Sequence, residues 1–302
     1  MTNGIKIAMS PGVTATCFHR HQVGSIEVTV IPDGVSRLQF DETFVRNASK
    51  AEVNAALIAV RMQADIFVNP YNPVVINTGG KLALIDTGRG CAAFDASNGM
   101  HGQLLKNLAT TGIDPNAIAT VIISHYHRDH IDGLLRSDGS LAFPNAEILV
   151  PAREHQYWMD DGEMSRAPKG RIAEVFKNVR RVIGSNILSR LRTFQWNQEV
   201  ISGVVAIAAS GHSPGHTSFV VTSGTSTLFV QADLTHAPVP FVRHPGWHPF
   251  YDHEPLEAEK TRRRMYEMLI AERMPVQGFH FPFPSIAYIE KRRSGYREIP
   301  IL

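Results

Sequence analysis

The sequence predicts an α+β fold in which two β-sheets face each other and helices cover their outer faces. Three observations support this fold: short apolar runs recur between turn residues, segments with helical spacing lie between these runs, and one strand-turn-strand pattern occurs twice. We expect a single domain over residues 1–302, with an N-terminal extension and the first strands in residues 1–48. Two similar halves of this kind would gather their strand ends along one rim of the sheets.

Eight runs predict strands because each is short, mostly apolar and bounded by turn residues. The predicted strands are 26–31, 74–77, 82–85, 121–124, 147–150, 204–208, 219–222 and 228–230. Helical spacing predicts four helices, which begin after Ser49, near 102–111, near 172–183 and after Glu254. Pro255 suits the first position of the last helix.

The repeated pattern places one carboxylate at a strand end in each half of the chain. Residues 73–86 form an apolar strand, a turn with glycine, and a second apolar strand that ends in Asp86. Residues 218–233 repeat this plan and end in Asp233. Any two hairpins share much of this plan, so the repeat alone leaves chance similarity open.

The composition is that of an ordinary globular protein and favours no macromolecular partner. The 302 residues carry a formal charge of +2, and charged residues make up 19% of the chain. No apolar stretch approaches the roughly 18 residues of a membrane-spanning helix, and the first ten residues do not resemble a signal peptide. We therefore expect a cytoplasmic protein that binds a small-molecule substrate and neither nucleic acid nor membrane. Cys17 and Cys91 form no CxxC pattern and are expected to be buried thiols.

Residues 125–130, the His-rich hexamer, bring three imidazoles and one carboxylate together directly after an apolar run. This placement predicts a buried strand that ends in a loop, so that the polar groups converge at a sheet edge. His125 and His127 can turn toward one ion, whereas Asp129 and His130 face a neighbouring point. Four groups of this chemistry predict a catalytic metal site.

Three further polar residues follow apolar runs in the second half of the chain. His216 lies in the Gly- and Pro-rich loop 210–217, Asp233 ends the second hairpin, and His280 follows a short apolar run. Side chains in loops at strand ends can point into a shared cleft. The predicted metal site therefore extends beyond the hexamer.

Together these residues resemble the metallo-β-lactamase superfamily. In chain order the resemblance rests on Leu-Ile-Asp-Thr-Gly at 84–88, His-x-His-x-Asp-His at 125–130, Pro-Gly-His-Thr at 214–217, Asp233 and His280. More narrowly, Gly-Phe-His-Phe-Pro-Phe-Pro at 278–284 and the arginine run 262–264 are similar to the branch that contains methyl parathion hydrolase and N-acyl-homoserine lactone lactonases. This resemblance implies a four-layer αββα sandwich with the metal site at one edge of the sheets.

The resemblance also implies two divalent metal ions, held by imidazoles and carboxylates alone. The first ion would take His125, His127 and His216, the second ion Asp129, His130 and His280, and Asp233 would bridge both. His212 is expected to brace the loop and not to bind metal. A donor set without thiolate suits zinc first, and also manganese, iron or cobalt.

The implied activity is that of a binuclear metal-dependent hydrolase. A hydroxide between the two ions would attack the carbonyl or phosphoryl centre of a lactone, an ester or a phosphotriester. A penicillin-type substrate is disfavoured, because neither cysteine falls where many β-lactamases place a metal ligand. A thioester hydrolase of the glyoxalase II type is the first alternative, although the end of the chain looks too short for a separate helical domain. A nuclease is the second, although no basic stretch with interleaved aromatic residues is present.

Three residues are expected to act around the metal ions. His236 follows Asp233 by three residues and is the first candidate for the proton donor to the leaving group. Lactonases of this superfamily often carry a tyrosine there, so the family's assignment does not transfer. Asp129 is the alternative proton shuttle. Asp86 is expected to accept a hydrogen bond from a ligating imidazole and so to fix its orientation.

Residues 235–254, the aromatic segment, are irregular and too apolar for a simple solvated loop. They are expected to form a pocket wall or a homodimer interface. Tyr157, Trp158 and the stretch to Pro168 are candidates for a second wall, with core or dimer packing as the alternative. Such a lining favours a substrate with an apolar acyl or aryl portion. The arginine run 262–264 is expected to be exposed, because its side chains point in different directions around a helix.

Overall fold

The structure of the protein is a computed structural model that describes residues 18–301. Two predictions lie outside the described residues: that Cys17 is a buried thiol, and that the first ten residues do not form a signal peptide. Cys91 is partly buried and forms no disulfide within residues 18–301. The single domain over residues 1–302 stays a prediction.

The described part of the chain consists of short strands and helices. The strands are β1 (His19–Val23), β2 (Ile26–Val30), β3 (Gly34–Gln39), β4 (Ile66–Tyr71), β5 (Val74–Thr78), β6 (Lys81–Ile85), β7 (Ile118–Ile122), β8 (Glu147–Pro151), β9 (Leu191–Phe194), β10 (Glu199–Ile201), β11 (Val204–Ala208), β12 (Thr217–Ser223), β13 (Ser226–Val230), β14 (Val276–Gln277), β15 (Ile286–Arg292) and β16 (Gly295–Pro300). The helices are α1 (Lys50–Ile58), α2 (Ala92–Ala96), α3 (Leu104–Thr110), α4 (Arg128–Ile131), α5 (Ala152–Met159), α6 (Asp161–Arg166), α7 (Arg171–Val182), α8 (Ser185–Leu188) and α9 (Pro255–Ala271). Shorter helical turns lie at Pro115–Ala117, Asp132–Leu134 and Pro238–Val242.

Two seven-stranded sheets contain all of these strands except β3 and β4, which pair with each other. The first sheet has the order β1-β2-β5-β6-β7-β8-β9, and the second runs from β10 to β16 in chain order. The repeated pattern forms the antiparallel hairpins β5–β6 and β12–β13, one in each sheet. The predicted α+β fold with two similar halves is therefore confirmed. All eight predicted strands and all four predicted helices are present, with their ends shifted by up to three residues.

The sheets pack face to face because their central strands are apolar on both sides. Along β6, Ala83 and Ile85 point into a core that they share with Phe219 of the second sheet. Leu84, between them, faces the opposite side and packs with residues of α3 and α7. Helix α9 covers the outer side of the second sheet, where Met265 is buried. These contacts produce the four layers helix, sheet, sheet and helix.

Parallel strand pairs bring the predicted polar residues to one rim. Strands β6 and β7 are parallel, so Asp86 and the His-rich hexamer leave the first sheet at the same edge. Strands β13 and β14 are also parallel, so Asp233 and His280 follow neighbouring strand ends in the second sheet. The sandwich thus places four separate stretches of sequence beside one another.

A small apolar subdomain, the rim cap, lies over this edge. It consists of β3, β4, α1 and the helical turn Pro238–Val242, and its centre is a cluster of buried aromatic and aliphatic side chains. Phe44 stands in the middle, with its ring centroid 5.0 Å from that of Phe67 and 5.8 Å from that of Phe241. The cap therefore attaches the aromatic segment to the first half of the chain. Within residues 18–301, no helix is long and apolar enough to cross a membrane.

Candidate metal centre

Three histidine rings and one carboxylate converge after β7 and form the first cluster. His125 Nε2 lies 2.9 Å from His127 Nδ1, which lies 2.8 Å from His212 Nε2. Asp233 completes the cluster, because its Oδ2 atom is 3.2 Å from His212 Nε2 and 3.8 Å from His125 Nε2. All four side chains are buried.

A second cluster lies beside the first and shares Asp233 with it. His130 Nε2 is 3.2 Å from Asp233 Oδ1, and His280 Nε2 is 3.2 Å from Asp233 Oδ2. Asp129 Oδ2 lies 3.6 Å from His280 Nε2, and Asp129 Oδ1 lies 3.9 Å from His130 Nε2. Asp233 Oδ2 thus lies within 4 Å of rings in both clusters, and Asp233 Oδ1 lies within 4 Å of His130. A carboxylate that bridges two ions requires this position.

The nitrogen and oxygen atoms that converge in the two clusters are better suited to bind divalent cations than to form hydrogen bonds with one another. A neutral imidazole carries one N–H, so hydrogen bonds cannot satisfy three ring nitrogens that lie 2.8 to 2.9 Å apart. His130 Nε2 and Asp233 Oδ1 are buried 3.2 Å apart, but they form no well-aligned hydrogen bond with each other or with another atom among residues 18–301. Buried polar atoms without partners are rare because they are costly, and a cation between them removes the cost. Imidazole and carboxylate donors suit zinc and also manganese, iron and cobalt.

The pKa shifts of the rings differ within the clusters. Asp233 and Asp252 outweigh burial and raise the pKa of His212, a member of the first cluster. Burial and the neighbouring imidazoles lower the pKa of His125 and His127, which keeps these rings in the neutral form that metal binding needs. Burial also opposes the charge on His130, but Asp233, Asp86 and Asp129 outweigh it and raise the pKa of His130. The second cluster therefore attracts positive charge.

Asp86 holds His130 and the end of β7 in place. Its Oδ2 atom accepts hydrogen bonds from His130 Nδ1 at 2.8 Å and from the Ser124 hydroxyl at 2.8 Å. Its Oδ1 atom accepts the backbone N–H of Ser124 at 2.8 Å. The Nδ1 contact leaves His130 Nε2 directed at Asp233, which is how such a partner orients a metal ligand.

The structure places His212, and not His216, in the first cluster. His216 is fully buried, its Nδ1 donates to the carbonyl oxygen of Ala209 at 2.8 Å, and its Nε2 accepts the backbone N–H of Asp233 at 3.0 Å. Both ring nitrogens of His216 are occupied, so it has no atom free for a cation. The expectation that His216 is the ligand and His212 only braces the loop is reversed. Both residues lie in one short loop, and their spacing alone did not distinguish them.

A buried chain of polar groups supports His212 from the side away from the cluster. His212 Nδ1 lies 3.0 Å from Asp252 Oδ1, and Arg262 donates to Asp252 Oδ2 at 3.1 Å. Arg262 also donates to three backbone carbonyl groups and is 1% exposed. The predicted exposure of the arginine run is therefore wrong for Arg262, because α9 turns this residue toward the aromatic segment. The sequence contains no signal for this contact, since Arg262 and Asp252 have no motif spacing.

Glu154 connects the two ligand-bearing loops from behind. It is fully buried on α5, and its Oε1 atom accepts the backbone N–H of Tyr126 at 2.9 Å and the indole N–H of Trp158 at 2.8 Å. Its Oε2 atom accepts the backbone N–H of Gly215 at 2.7 Å, and the hydroxyl of Ser213 also donates to the carboxylate. Burial raises the pKa of Glu154, and the four hydrogen bonds oppose this rise. Sequence reasoning missed Glu154 because it lies outside every ligand pattern.

The two intervening residues of the hexamer have different surroundings. Tyr126 is fully buried, and its hydroxyl lies 2.8 Å from His155 Nδ1. Arg128 is exposed, and its Nε donates to Asp132 at 3.1 Å. Tyr126 therefore anchors the loop in the core, whereas Arg128 lies at the mouth of the site.

A cavity of about 280 Å³, the metal-side cavity, opens beside both clusters. Its apolar lining comes from both halves of the chain and includes Leu38, Phe67, Val175, Phe250 and Tyr251. The aromatic segment thus forms one wall and also packs against the rim cap. Trp158 is fully buried, with its ring centroid 6.5 Å from that of His127, and Tyr157 lines a separate cavity. The predicted second wall is therefore wrong, and the core-packing alternative is correct for Trp158.

His236 lies between the clusters and the metal-side cavity. Its Nε2 atom is 3.2 Å from Asp233 Oδ2, and its ring stacks on His280 with centroids 4.4 Å apart. Tyr251 covers the other side of the ring at 4.0 Å. Burial lowers the pKa of His236 to about 4, although Asp233 opposes this change. The same position makes His236 a further group of metal-ligand type, together with Asp233 and His280.

Comparison with protein families agrees with this geometry. The family model described as the metallo-β-lactamase superfamily matches residues 66–276. The chain belongs to the metallo-β-lactamase superfamily. The recognition of this superfamily from the sequence is therefore confirmed, and the N-acyl homoserine lactonases among its relatives match the predicted branch.

Two lactonases and one further hydrolase are among the proteins that this chain resembles. The N-acyl homoserine lactonase AiiA of Bacillus thuringiensis subsp. kurstaki is 25% identical to this chain over 174 residues. The match covers 57% of this chain and 59% of AiiA, which is less than two thirds of that relative. The structure of AidC, a dizinc quorum-quenching lactonase in complex with a product, N-hexanoyl-L-homoserine, is 25% identical with a TM-score of 0.86 and covers 94% of this chain and 97% of its own. The hydrolase AbOPH of the beta lactamase superfamily is 24% identical with a TM-score of 0.86, covers 96% and 99% of the two chains, and shows the same fold.

A pair of histidine substitutions tests which ring binds metal in this superfamily member. His212→Ala should reduce the bound metal from about two ions per chain to about one and lower hydrolytic activity at least about 100-fold, because the first cluster loses a donor. His216→Gln should keep most of the metal, since the amide can still donate and accept the two buried hydrogen bonds. Inductively coupled plasma mass spectrometry of the purified variants measures the difference. Equal metal loss in both variants would contradict the assignment of His212.

The four hydrogen bonds of Glu154 predict that it stabilises the metal centre from outside. In Glu154→Gln an amide donor replaces one acceptor oxygen, so at least one buried donor loses its partner and metal affinity should fall about tenfold. Titration against a competing chelator measures this affinity. Glu272→Gln, at an exposed position at the end of α9, is the matched control. Unchanged affinity in Glu154→Gln would show that the carboxylate does not act on the metal site.

Proposed function

We propose that this chain is a binuclear metal-dependent hydrolase that opens lactones or cleaves simple esters. The observation that carries the proposal is the pair of buried clusters of imidazoles and carboxylates, with Asp233 within 4 Å of rings from both. Membership of the metallo-β-lactamase superfamily and the likeness to AidC over 94% of this chain support the same activity.

The proposed ligands follow from the distances within each cluster. The first ion takes His125, His127 and His212, the second ion takes Asp129, His130 and His280, and Asp233 lies between both. Zinc is the first choice, because AidC is described as dizinc and the donor set suits this metal. Manganese, iron and cobalt accept the same donors.

The residues of the chain orient the substrate and move protons around the ions. When bound, two such ions generate a nucleophile from water near neutral pH and polarise the carbonyl group under attack. Burial lowers the pKa of His236 to about 4, so its neutral ring can take the proton that the attacking water gives up and pass it to the leaving group from its place between Asp233 and the metal-side cavity. Asp129, which also lines this cavity, is the alternative proton shuttle.

The metal-side cavity supports a substrate with an apolar portion. Phe67, Phe250 and Tyr251 form a wall that can cover an acyl chain or an aryl group and exclude water from it. A lactone is the first substrate class, since AiiA and AidC are both named as lactonases. The cytoplasmic location and the homodimer stay predictions.

A substrate panel tests the proposed function on protein whose metal content has been measured. N-acyl homoserine lactones, other lactones, aryl esters, phosphotriesters and lactoylglutathione are compared by kcat/KM, and lactones should be the best substrates. A strong chelator should abolish turnover, and added zinc should restore it, because the ions supply the nucleophile. Metal-loaded protein that cleaves no member of the panel would refute the proposed hydrolase.

The proposed proton transfer predicts a specific loss in one variant. His236→Asn should lower kcat about 100-fold and leave KM within a factor of about three, because a group that relays a proton acts in the transition state. Metal content is measured in parallel, since His236 also lies close enough to Asp233 to serve as a ligand. Full metal content with unchanged kcat would rule out the proton-transfer role.

A further inference from the structure

A second cavity, the arginine cavity, opens next to the metal-side cavity. Its volume is about 420 Å³, and it lies between α2 and α7. Four arginines line it, together with one carboxylate, that of Asp132. The arginines are Arg89, Arg128, Arg136 and Arg181.

Asp132 cannot balance this charge. Its Oδ2 atom accepts from Arg128 at 3.1 Å, and its Oδ1 atom accepts from Arg181 at 3.0 Å and from Asn178 at 2.8 Å. Both oxygens are therefore engaged, and four guanidinium groups face a single carboxylate. The lining of the arginine cavity carries a net positive charge.

Two buried nitrogen atoms of this lining have no hydrogen-bond partner among residues 18–301. They are Arg89 Nε and His101 Nδ1. Burial, with Arg89 nearby, lowers the pKa of His101, so this ring is neutral and adds no charge. A buried guanidinium N–H without an acceptor is unfavourable, and the other N–H groups of the four arginines that line the cavity are donors for an oxyanion.

The arginine cavity and the metal-side cavity share part of their walls. Arg89 and Arg128 line both. Tyr71, which lines the metal-side cavity, has its ring centroid 5.6 Å from that of His280 and 5.7 Å from that of His101, a residue of the arginine cavity. One aromatic ring therefore contacts both an imidazole of the second cluster and the lining of the arginine cavity.

We propose that the arginine cavity binds a carboxylate or phosphate group of the substrate, so that the enzyme prefers substrates with an anionic tail. This inference rests on the proposed hydrolase function and specifies its substrate class. Arginines bind such groups through paired N–H donors, which match the geometry of carboxylate and phosphate oxygens. Four cations beside a site for two divalent ions repel one another and the ions, and an anionic group in the arginine cavity reduces that repulsion.

Two matched substrates test the anionic tail with the metal-loaded enzyme. Both carry the same lactone or aryl ester, and the acyl chain ends in a carboxylate in one and in a primary amide in the other. Arg136→Ala should raise the KM of the carboxylate substrate, relative to that of the amide substrate, about five- to tenfold, as expected for one partly exposed ionic contact. Arg136 is exposed, so the fold does not depend on its side chain. Arg192→Ala, an exposed arginine on β9 that pairs with Glu147, should leave the ratio of KM values unchanged.

Binding of inorganic phosphate tests whether the arginine cavity binds the tail of the substrate or a separate anion. Calorimetric titration of phosphate into the metal-loaded wild type, Arg136→Ala and Arg192→Ala compares proteins with the same metal centre, so a difference between the variants reports on the arginine cavity. A changed KM ratio together with weaker phosphate binding in Arg136→Ala alone supports the proposal. Weaker phosphate binding with an unchanged ratio would overturn the substrate tail in favour of a free anion, and no change in either would overturn the anion site. The titration needs no turnover, so it separates failure of this inference from failure of the proposed hydrolase.

Discussion

The rim of this sandwich is organised by one constraint: imidazoles whose ring nitrogens converge on a common point must be held from behind, because neighbouring ring nitrogens satisfy one another poorly as donors and acceptors. Each side chain of the two clusters lies within 4.8 Å of its neighbours through its donor atom. The opposite nitrogen of His130 is bound by Asp86, that of His212 by Asp252, and that of His280 by the carbonyl of Pro70 at 2.7 Å. Such partners fix both the tautomer and the direction of the ring. The arrangement is therefore preorganised by the protein chain itself.

The fold supplies these partners because its two halves meet at the strand ends. Parallel pairing of β6 with β7 and of β13 with β14 sets four polar stretches side by side. Glu154 then connects the hexamer to the loop that carries His212. A carboxylate with four donors is a rigid connection, because each donor restricts a different direction of movement. The two loops therefore hold their relative position although they belong to different sheets.

The sequence predicted the parts of the molecule that depend on local pattern. Strands with apolar residues on both faces, the two hairpins and the hexamer all have a period or a spacing that is visible in one dimension. The choice between His212 and His216 was wrong, because it depends on which ring the loop turns inward, and backbone contacts of Ala209 and Asp233 decide that. Asp252, Arg262 and Glu154 were missed for a similar reason. Their partners lie far away in sequence, so no spacing predicts them.

The aromatic segment serves two purposes that cannot be separated. Its Phe250 and Tyr251 line the metal-side cavity, and the next residue, Asp252, binds His212. A change of backbone that widens the cavity for a bulkier substrate would also move the carboxylate that orients a metal-cluster ring. Substitutions in this segment that change substrate specificity would therefore also change how strongly the metal centre activates the substrate. The opposite wall of the cavity, at Leu38 and Val175, can change shape without this effect.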